Sequence, residues 1–367
     1  MGRLGRIKAL IIKEFQNIWN DPRNRRMILW SPVIQLVIFA YAVSLEVKNV
    51  NIAIYDKDNS TYSREFVQKI NQTEMVKDII YVDNRTDLKS KIDKQDALLG
   101  VIIPENFSRN IMSKEGTTVQ MILDGRQTNS AQIASGYISF IVQQYQQDVL
   151  GQKSTADVRY RYWFNPTLDF QWTMVIMMTG ILSLSMALSM TAISIAQEKE
   201  LGTFDQILVS PLKSSEILFA KTFVAIVLSL FDMSTMLLMA IFHFKIPLTT
   251  NIFVLYAVVA LFLLSISGVG LFISSLCNTQ QQSILGVFVF MVPAMLLSGF
   301  VTSIDNLPLF FQGITIINPL TYFMILIKGM FLKSMPMHLI VKNCIPLAII
   351  SVVTMSFSSW YFSKKRE

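Results

Sequence analysis

Charge is scarce in this chain. Only 16% of its 367 residues are Asp, Glu, Lys or Arg, against about 25% in ordinary soluble domains. So few charges cannot solvate a whole surface, which argues against a purely soluble protein. Cysteine is reduced to Cys277 and Cys344, too few and too far apart for a metal spacing, and both read as small packing residues. Histidine is limited to His243 and His338, so residues 46–171 contain none. That stretch also lacks a G-x-S-x-G elbow, a cysteine nucleophile and a metal-ligand cluster, which excludes the usual hydrolytic chemistries. A glycine-rich phosphate loop of the form G-x-x-x-x-G-K-[ST] is missing throughout. The chain therefore binds no cofactor by that route and cannot itself hydrolyse ATP by P-loop chemistry.

What is present is hydrocarbon. About 20 apolar residues cross the roughly 30 Å core of a bilayer. Six runs reach or approach that length: Ile28–Leu45, Met174–Ala196, Ile217–Phe242, Ile252–Leu276, Ser283–Val301 and Leu339–Phe362. A seventh stretch, Leu307–Leu332, is interrupted by Gly313, Pro319 and Gly329 and carries Lys328. It reads as a re-entrant hairpin over 307–333, tolerated where protein or water satisfies its backbone.

Basic residues orient the spans. Arg3, Arg6, Lys8, Lys13, Arg23, Arg25 and Arg26 precede the first run, and Lys364, Lys365 and Arg366 follow the last. Both termini are expected on the cytoplasmic side. The net charge of +7 is explained by this bias, so no nucleic-acid partner is expected. A signal peptide fits poorly, because the basic region is long and the apolar run has span length. Residues 1–27 read as a cytoplasmic amphipathic helix in the membrane interface, with Ile7, Leu10, Ile11, Phe15, Ile18 and Trp19 on one face.

Residues 46–171 hold about half of the charged side chains and fall outside. Short apolar strands (Val50–Tyr55, Lys77–Val82, Ala97–Ile103, Thr118–Leu123) alternate with polar helical stretches (Thr61–Asn71, Thr86–Lys94, Glu105–Lys114, Ser130–Gly151), the pattern of an α/β layer fold. Asp56 and Asp58 could form a carboxylate pair but read better as a solvated loop after a strand. The sequons at Asn59, Asn71, Asn84 and Asn106 are expected to be unused. The expected fold is an α-helical polytopic membrane protein with six transmembrane helices, a re-entrant outer hairpin and an inserted extracytoplasmic α/β domain. The boundaries are 1–27, 28–45, 46–171 and 172–367.

One polar stretch interrupts the hydrocarbon, Ala196–Lys221, reading AQEKELGTFDQILVSPLKSSEILFAK. Glu198, Lys199 and Glu200 open it, Gly202 and Thr203 break or cap a helix, and Ser210-Pro211 stops a short amphipathic run. Orientation places 197–216 inside, where a short transverse helix can receive force. Within the spans, Asp232 stands out. A mid-bilayer charge costs about 2.5–3.5 kcal/mol on insertion scales, so it should face protein or water. It is either a polar group in a transport path or a structural hydrogen-bond partner of a nearby Ser or Thr. Ser185 and Ser189 form a small-xxx-small pair suited to close packing or to lining a path.

Four segments resemble the type-2 ABC exporter permeases, the long bacterial multidrug kind with a large extracytoplasmic domain after the first span. They are Lys13-Glu14-Phe15 with Asn20-Asp21-Pro22-Arg23 and Ser31-Pro32; Ile195–Thr203 with Val209-Ser210-Pro211-Leu212 and Lys221; Leu123–Ala131; and Ile317-Asn318-Pro319-Leu320-Thr321-Tyr322. Gln197 replaces the family's usual arginine. The resemblance implies a dimer, or a pair with a homologue, working with two separate ATPase subunits that hold ATP and Mg. It implies that 197–216 is a coupling helix, with Glu198, Glu200, Gly202, Thr203, Phe204, Asp205 and Pro211 facing the ATPase. Asn318, Pro319 and Tyr322 would shape the outer hairpin. A bacterial inner membrane, a periplasmic adaptor, an outer-membrane duct and amphipathic or drug-like substrates are further implications. The contrasting readings are a membrane-anchored receptor or assembly protein, which needs no long inner segment, and a gradient-driven transporter, which should show inverted repeats and more intramembrane charges.

Overall fold

The computed structural model describes residues 3–42, 49–113, 117–150, 170–204 and 212–366. It divides into two compact units, Met1–Val43 with Tyr162–Glu367, and Ser44–Arg161.

The first unit is helical. It contains α1 (Arg3–Asn20), α2 (Pro22–Ala42), α7 (Phe170–Glu200), α8 (Ser214–Phe242), α9 (Ile252–Leu276), α10 (Gln280–Leu296), α11 (Leu309–Thr315), α12 (Pro319–Leu332) and α13 (Met337–Arg366). Within α7, α8, α9 and α13, segments of 25 to 30 residues are long and apolar enough to cross a membrane. The chain is a polytopic helical membrane protein. The apolar part of α2, Ile28–Tyr41, and α10 are shorter. The fifth apolar run thus makes a helix of 17 residues, ending at Leu296 rather than Val301. Its end is set by Gly299, at φ 81°, and by Ser298, whose hydroxyl bonds the Met295 carbonyl at 2.7 Å. α11 and α12, within the stretch 307–333, meet at a bend of 79°.

The core of this unit is apolar side chains of α7, α8, α9 and α12, including Phe262 stacked on Phe323 at 4.0 Å. Two glycines let α9 approach its neighbours closely. A Cβ on Gly270 would meet Thr191 of α7, and one on Gly268 would meet Thr354 of α13. Hydroxyls then bridge the backbones: Ser265 Oγ donates to the Leu347 carbonyl at 3.0 Å and Ser358 Oγ to the Gly268 carbonyl at 2.6 Å. Small residues and interhelical hydroxyl bonds replace the hydrophobic drive that lipid cannot supply.

The second unit is an α/β layer. Its strands are β1 (Val50–Asp56), β2 (Val76–Tyr81), β3 (Leu99–Ile103) and β4 (Gln120–Leu123), in the order β2-β1-β3-β4. β1 runs parallel to β2 and β3, and β4 is antiparallel to β3. Alternation along β1 splits two cores. Ile52 and Ile54 pack with α3 (Thr61–Asn71), α5 (Phe107–Met112) and α6 (Thr128–Leu150), while Ala53 faces the Leu88 and Ile92 side of α4 (Arg85–Asp93). Arg126, in the turn before α6, donates to both Asp124 carboxylate oxygens and to the Ile92 and Asp93 carbonyls at the end of α4. Asp56 accepts from Ser63 Oγ at 2.6 Å, and Asp58 accepts from Ser108 Oγ at 2.9 Å and from Ser60. This carboxylate pair ties a loop rather than standing in solvent.

Candidate functional site

The polar segment is rooted in the bundle at both ends. At its start α7 closes with a Schellman motif. The Thr203 amide donates to the Glu198 carbonyl at 3.0 Å and the Gly202 amide to the Lys199 carbonyl at 3.2 Å. Gly202 takes φ 70°, the left-handed conformation that glycine adopts without Cβ strain. The three consecutive charges before it each reach a different element. Glu198 accepts from Lys221 of α8 at 3.0 Å. Lys199 Nζ donates to the Ser275 and Cys277 carbonyls, at 2.9 and 2.8 Å, at the C-terminal end of α9, where a cation complements the helix dipole. Glu200 accepts from the Gln280 amide at 2.8 Å, at the start of α10, where a carboxylate complements the helix dipole. Phe204 packs edge-on against Phe362 of α13 at 6.1 Å.

The far root opens α8. Glu216 accepts from the Lys213 amide at 3.1 Å and from Arg6 of α1 at 3.0 Å. Lys221, one turn further, is 2% exposed at its side chain and sits between two carboxylates, Glu14 at 2.9 Å and Glu198 at 3.0 Å. Lys13 approaches Glu198 at 3.5 Å. A single lysine thus joins α1, α7 and α8. Asp205 and Pro211 fall outside the described residues, as does the rest of 205–211.

Other expected positions are distributed differently. Glu14 is the buried residue of α1, whereas Phe15 and Trp19 are exposed and stack on each other at 6.0 Å. Asp232 is 1% exposed, and its Oδ1 has no partner among the described residues. The nearby Thr235 hydroxyl bonds the Asp232 backbone carbonyl at 2.7 Å, so the expected Ser/Thr bond goes to the peptide and not to the carboxylate. Ser185 and Ser189 are half-buried, and the close crossing on α7 is at Thr191 instead. At the α11–α12 bend, Asn318 caps α12, accepting from the Leu320 amide at 3.1 Å, and its Nδ2 donates to the Ala294 carbonyl of α10 at 2.8 Å. Pro319 takes the first helical position, where no amide is needed. Tyr322 donates to the Ile316 carbonyl at 2.9 Å.

Sequence reasoning did not bring Glu14, Lys221 and Glu198 together. The available signal was weak: a lysine inside the opening turns of an apolar helix, and a glutamate amid the apolar face of α1.

The polar segment is thus rooted at both ends in the helical membrane bundle. A family profile described as "ABC-2 family transporter protein" matches residues 26–360, and the chain belongs to that family. The relatives include "Probable multidrug ABC transporter permease YbhR" of Escherichia coli (strain K12), 37% identical over 98% of this chain and 99% of the relative. "Probable multidrug ABC transporter permease YbhS" of the same organism is 28% identical over 98% and 97%. "Inner membrane transport permease YhhJ", also from Escherichia coli (strain K12), is 24% identical over 91% and 90%. The protein is a type-2 ABC permease, a membrane transport component rather than a catalytic subunit.

Proposed function

We propose that the chain is the permease half of an ATP-driven exporter that moves amphipathic or drug-like molecules out of a bacterial cell. It works as a dimer, or with a homologous permease, beside separate ATPase subunits that bind ATP and Mg. Segment 197–216 is the coupling element, on the cytoplasmic side with both termini. The observation that carries this reading is the root at Glu198, Lys199 and Glu200. Three consecutive charges are tied to α8, α9 and α10, so a push on the segment reaches three membrane helices at once. The Gly202 turn and Phe204 continue the docking side, with Asp205 and Pro211 beyond them.

The multidrug names of the relatives support the substrate class. The α/β unit faces a periplasmic adaptor and an outer-membrane duct, and the inner membrane is the seat of the complex. Asn318, Pro319 and Tyr322 hold the outer hairpin, while Asp232, Ser185 and Ser189 belong to the moving path. The test is to co-purify the chain with a P-loop ABC ATPase subunit from the same organism and to measure vanadate-sensitive ATP turnover. Glu200→Lys and Gly202→Pro should each weaken association and turnover. If both survive intact, the coupling assignment is wrong.

A further inference from the structure

The coupling segment has two roots, and α1 touches both. Lys13 reaches Glu198 at the α7 root. Arg6 reaches Glu216, and Glu14 reaches Lys221, at the α8 root. Arg6 and Lys13 are seven residues apart, two helical turns, so they project from one face of α1. Lys13 is 53% exposed and its contact is a partly screened one, but the Glu14–Lys221–Glu198 contacts are not ordinary surface pairs, which contribute little because water screens them. The side chains of Glu216, Lys221, Glu14 and Glu198 are 0%, 2%, 8% and 8% exposed. Removing one partner from such a site leaves another buried charge uncompensated. An amphipathic helix that merely lies on a membrane needs an apolar face only. It has no use for a buried glutamate aimed at a lysine 207 residues away.

We infer that α1 is a clamp across both roots of the coupling segment, with Lys221 as its pin, so that the N-terminal helix moves with the segment as one rigid piece. Glu14, Lys221, Arg6 and Lys13 are positioning residues for coupling. They do not meet nucleotide or substrate. Lys221 serves two carboxylates at once, which holds α1 to the α7 end as well as to its own helix. Loss of the pin releases α1 and also frees Glu198, which loosens the α7 root that Lys199 and Glu200 are then left to hold alone. This inference rests on the proposed exporter function for its consequence, and on geometry alone for the clamp.

Two measurements on the full-length permease separate the two. The first is hydrogen exchange in detergent without the ATPase, comparing wild type with Glu14→Gln, Lys221→Met and the double exchange E14K/K221E. The exchange keeps one cation between two carboxylates, now with the cation on α1. Both single variants should speed exchange by about tenfold or more in α1 and in 197–204 together, as loss of a buried ion partner requires, and the double exchange should restore both. Faster exchange in α1 alone, or no change in either, overturns the clamp whatever the protein transports.

The second is reconstitution with the co-purified ABC ATPase and a fluorescent amphipathic dye. Dye moved per ATP should fall about tenfold in the single variants, within the usual range of coupling energies. It should return with E14K/K221E and be retained by Lys221→Arg. If the ratio holds in every variant, α1 has no part in coupling. If the ratio falls and the double exchange fails to restore it, Lys221 only supports folding and the pin is refuted. Wild-type permease that neither binds the ATPase nor moves dye overturns the exporter reading, and the exchange data then stand as the test of the clamp.

Discussion

Gly270→Ala is a small perturbation with a calculable consequence. Gly270 lies where α9 crosses α7. An added Cβ would stand 2.9 Å from Thr191 Cβ and 3.0 Å from the Leu188 carbonyl oxygen, and would run into Thr191 Oγ1. Ordinary contact begins near 3.4 Å, so the helices must part by about half an ångström even after the threonine rotates. Rotation has its own cost, because Thr191 Oγ1 gives up its bond to the Ala187 carbonyl at 2.7 Å. Overpacking of this kind costs about 1–3 kcal/mol, while replacing a helical glycine with alanine returns roughly 1 kcal/mol of propensity. With about 1 kcal/mol more for the lost Thr191 hydrogen bond, the net expectation is a loss of about 1–3 kcal/mol.

Unfolding in mixed micelles with increasing SDS measures it. Two comparisons sharpen the reasoning. Gly180→Ala should cost less, since its Cβ would meet only side chains, Met324 Cε at 3.1 Å and the Phe323 ring at 3.2 Å, and no backbone. Adding Thr191→Ala to Gly270→Ala should recover only part of the loss, because the Leu188 carbonyl is backbone and cannot turn away. A Gly270→Ala protein as stable as wild type, or a complete recovery in the double variant, would refute the assigned crossing.

Other expectations follow from single residues. Gly202→Ala should cost about 1–2 kcal/mol through its left-handed backbone, since no atom of the described residues lies within 4 Å of the added Cβ. Gly202→Asn should cost less, and binding to the ATPase reports the difference. Asn318→Ala removes the α12 cap and should lose about 0.5–2 kcal/mol, read as faster hydrogen exchange in the first turn of α12. Asp232→Asn should reduce dye export while leaving yield unchanged; unaltered export would remove this carboxylate from the path. Hydrogen bonds from Arg126 hold the Asp124 carboxyl below its ordinary 3.8. The folded state therefore binds that proton less tightly than the unfolded state. Its stabilising contribution is complete at neutral pH and fades as pH falls below about 4. Acid unfolding followed by circular dichroism should begin at higher pH in Arg126→Gln than in wild type.

Much of the architecture was legible locally. Span-length apolar runs, the strand–helix alternation and the glycine stop at Gly202 are written in short windows. Hydrocarbon thickness, pleat period and left-handed backbone act over a few residues. β1 was expected over Val50–Tyr55 and observed over Val50–Asp56. The direction of β4 was not legible, because a four-residue strand carries no sign of which way it pairs. The length of α10 was overread for a related reason. The apolar pattern continues to Val301, yet the turn at Ser298 and Gly299 ends the helix first.

The candidate site divides in the same way. The sequence alone determined that a polar, charged segment interrupts a membrane chain lacking a phosphate loop, because composition and motif are properties of the string. Only the tertiary structure decided what those charges do. Glu14 and Lys221 are separated by 207 positions and Lys199 and Cys277 by 78. Pairing at such distances depends on which helix faces meet, which no local pattern encodes. Packing turned Glu14 inward and left Phe15 and Trp19 outside, since a buried lysine demands compensating carboxylates more strongly than two rings demand burial in a helix that can also rest against lipid.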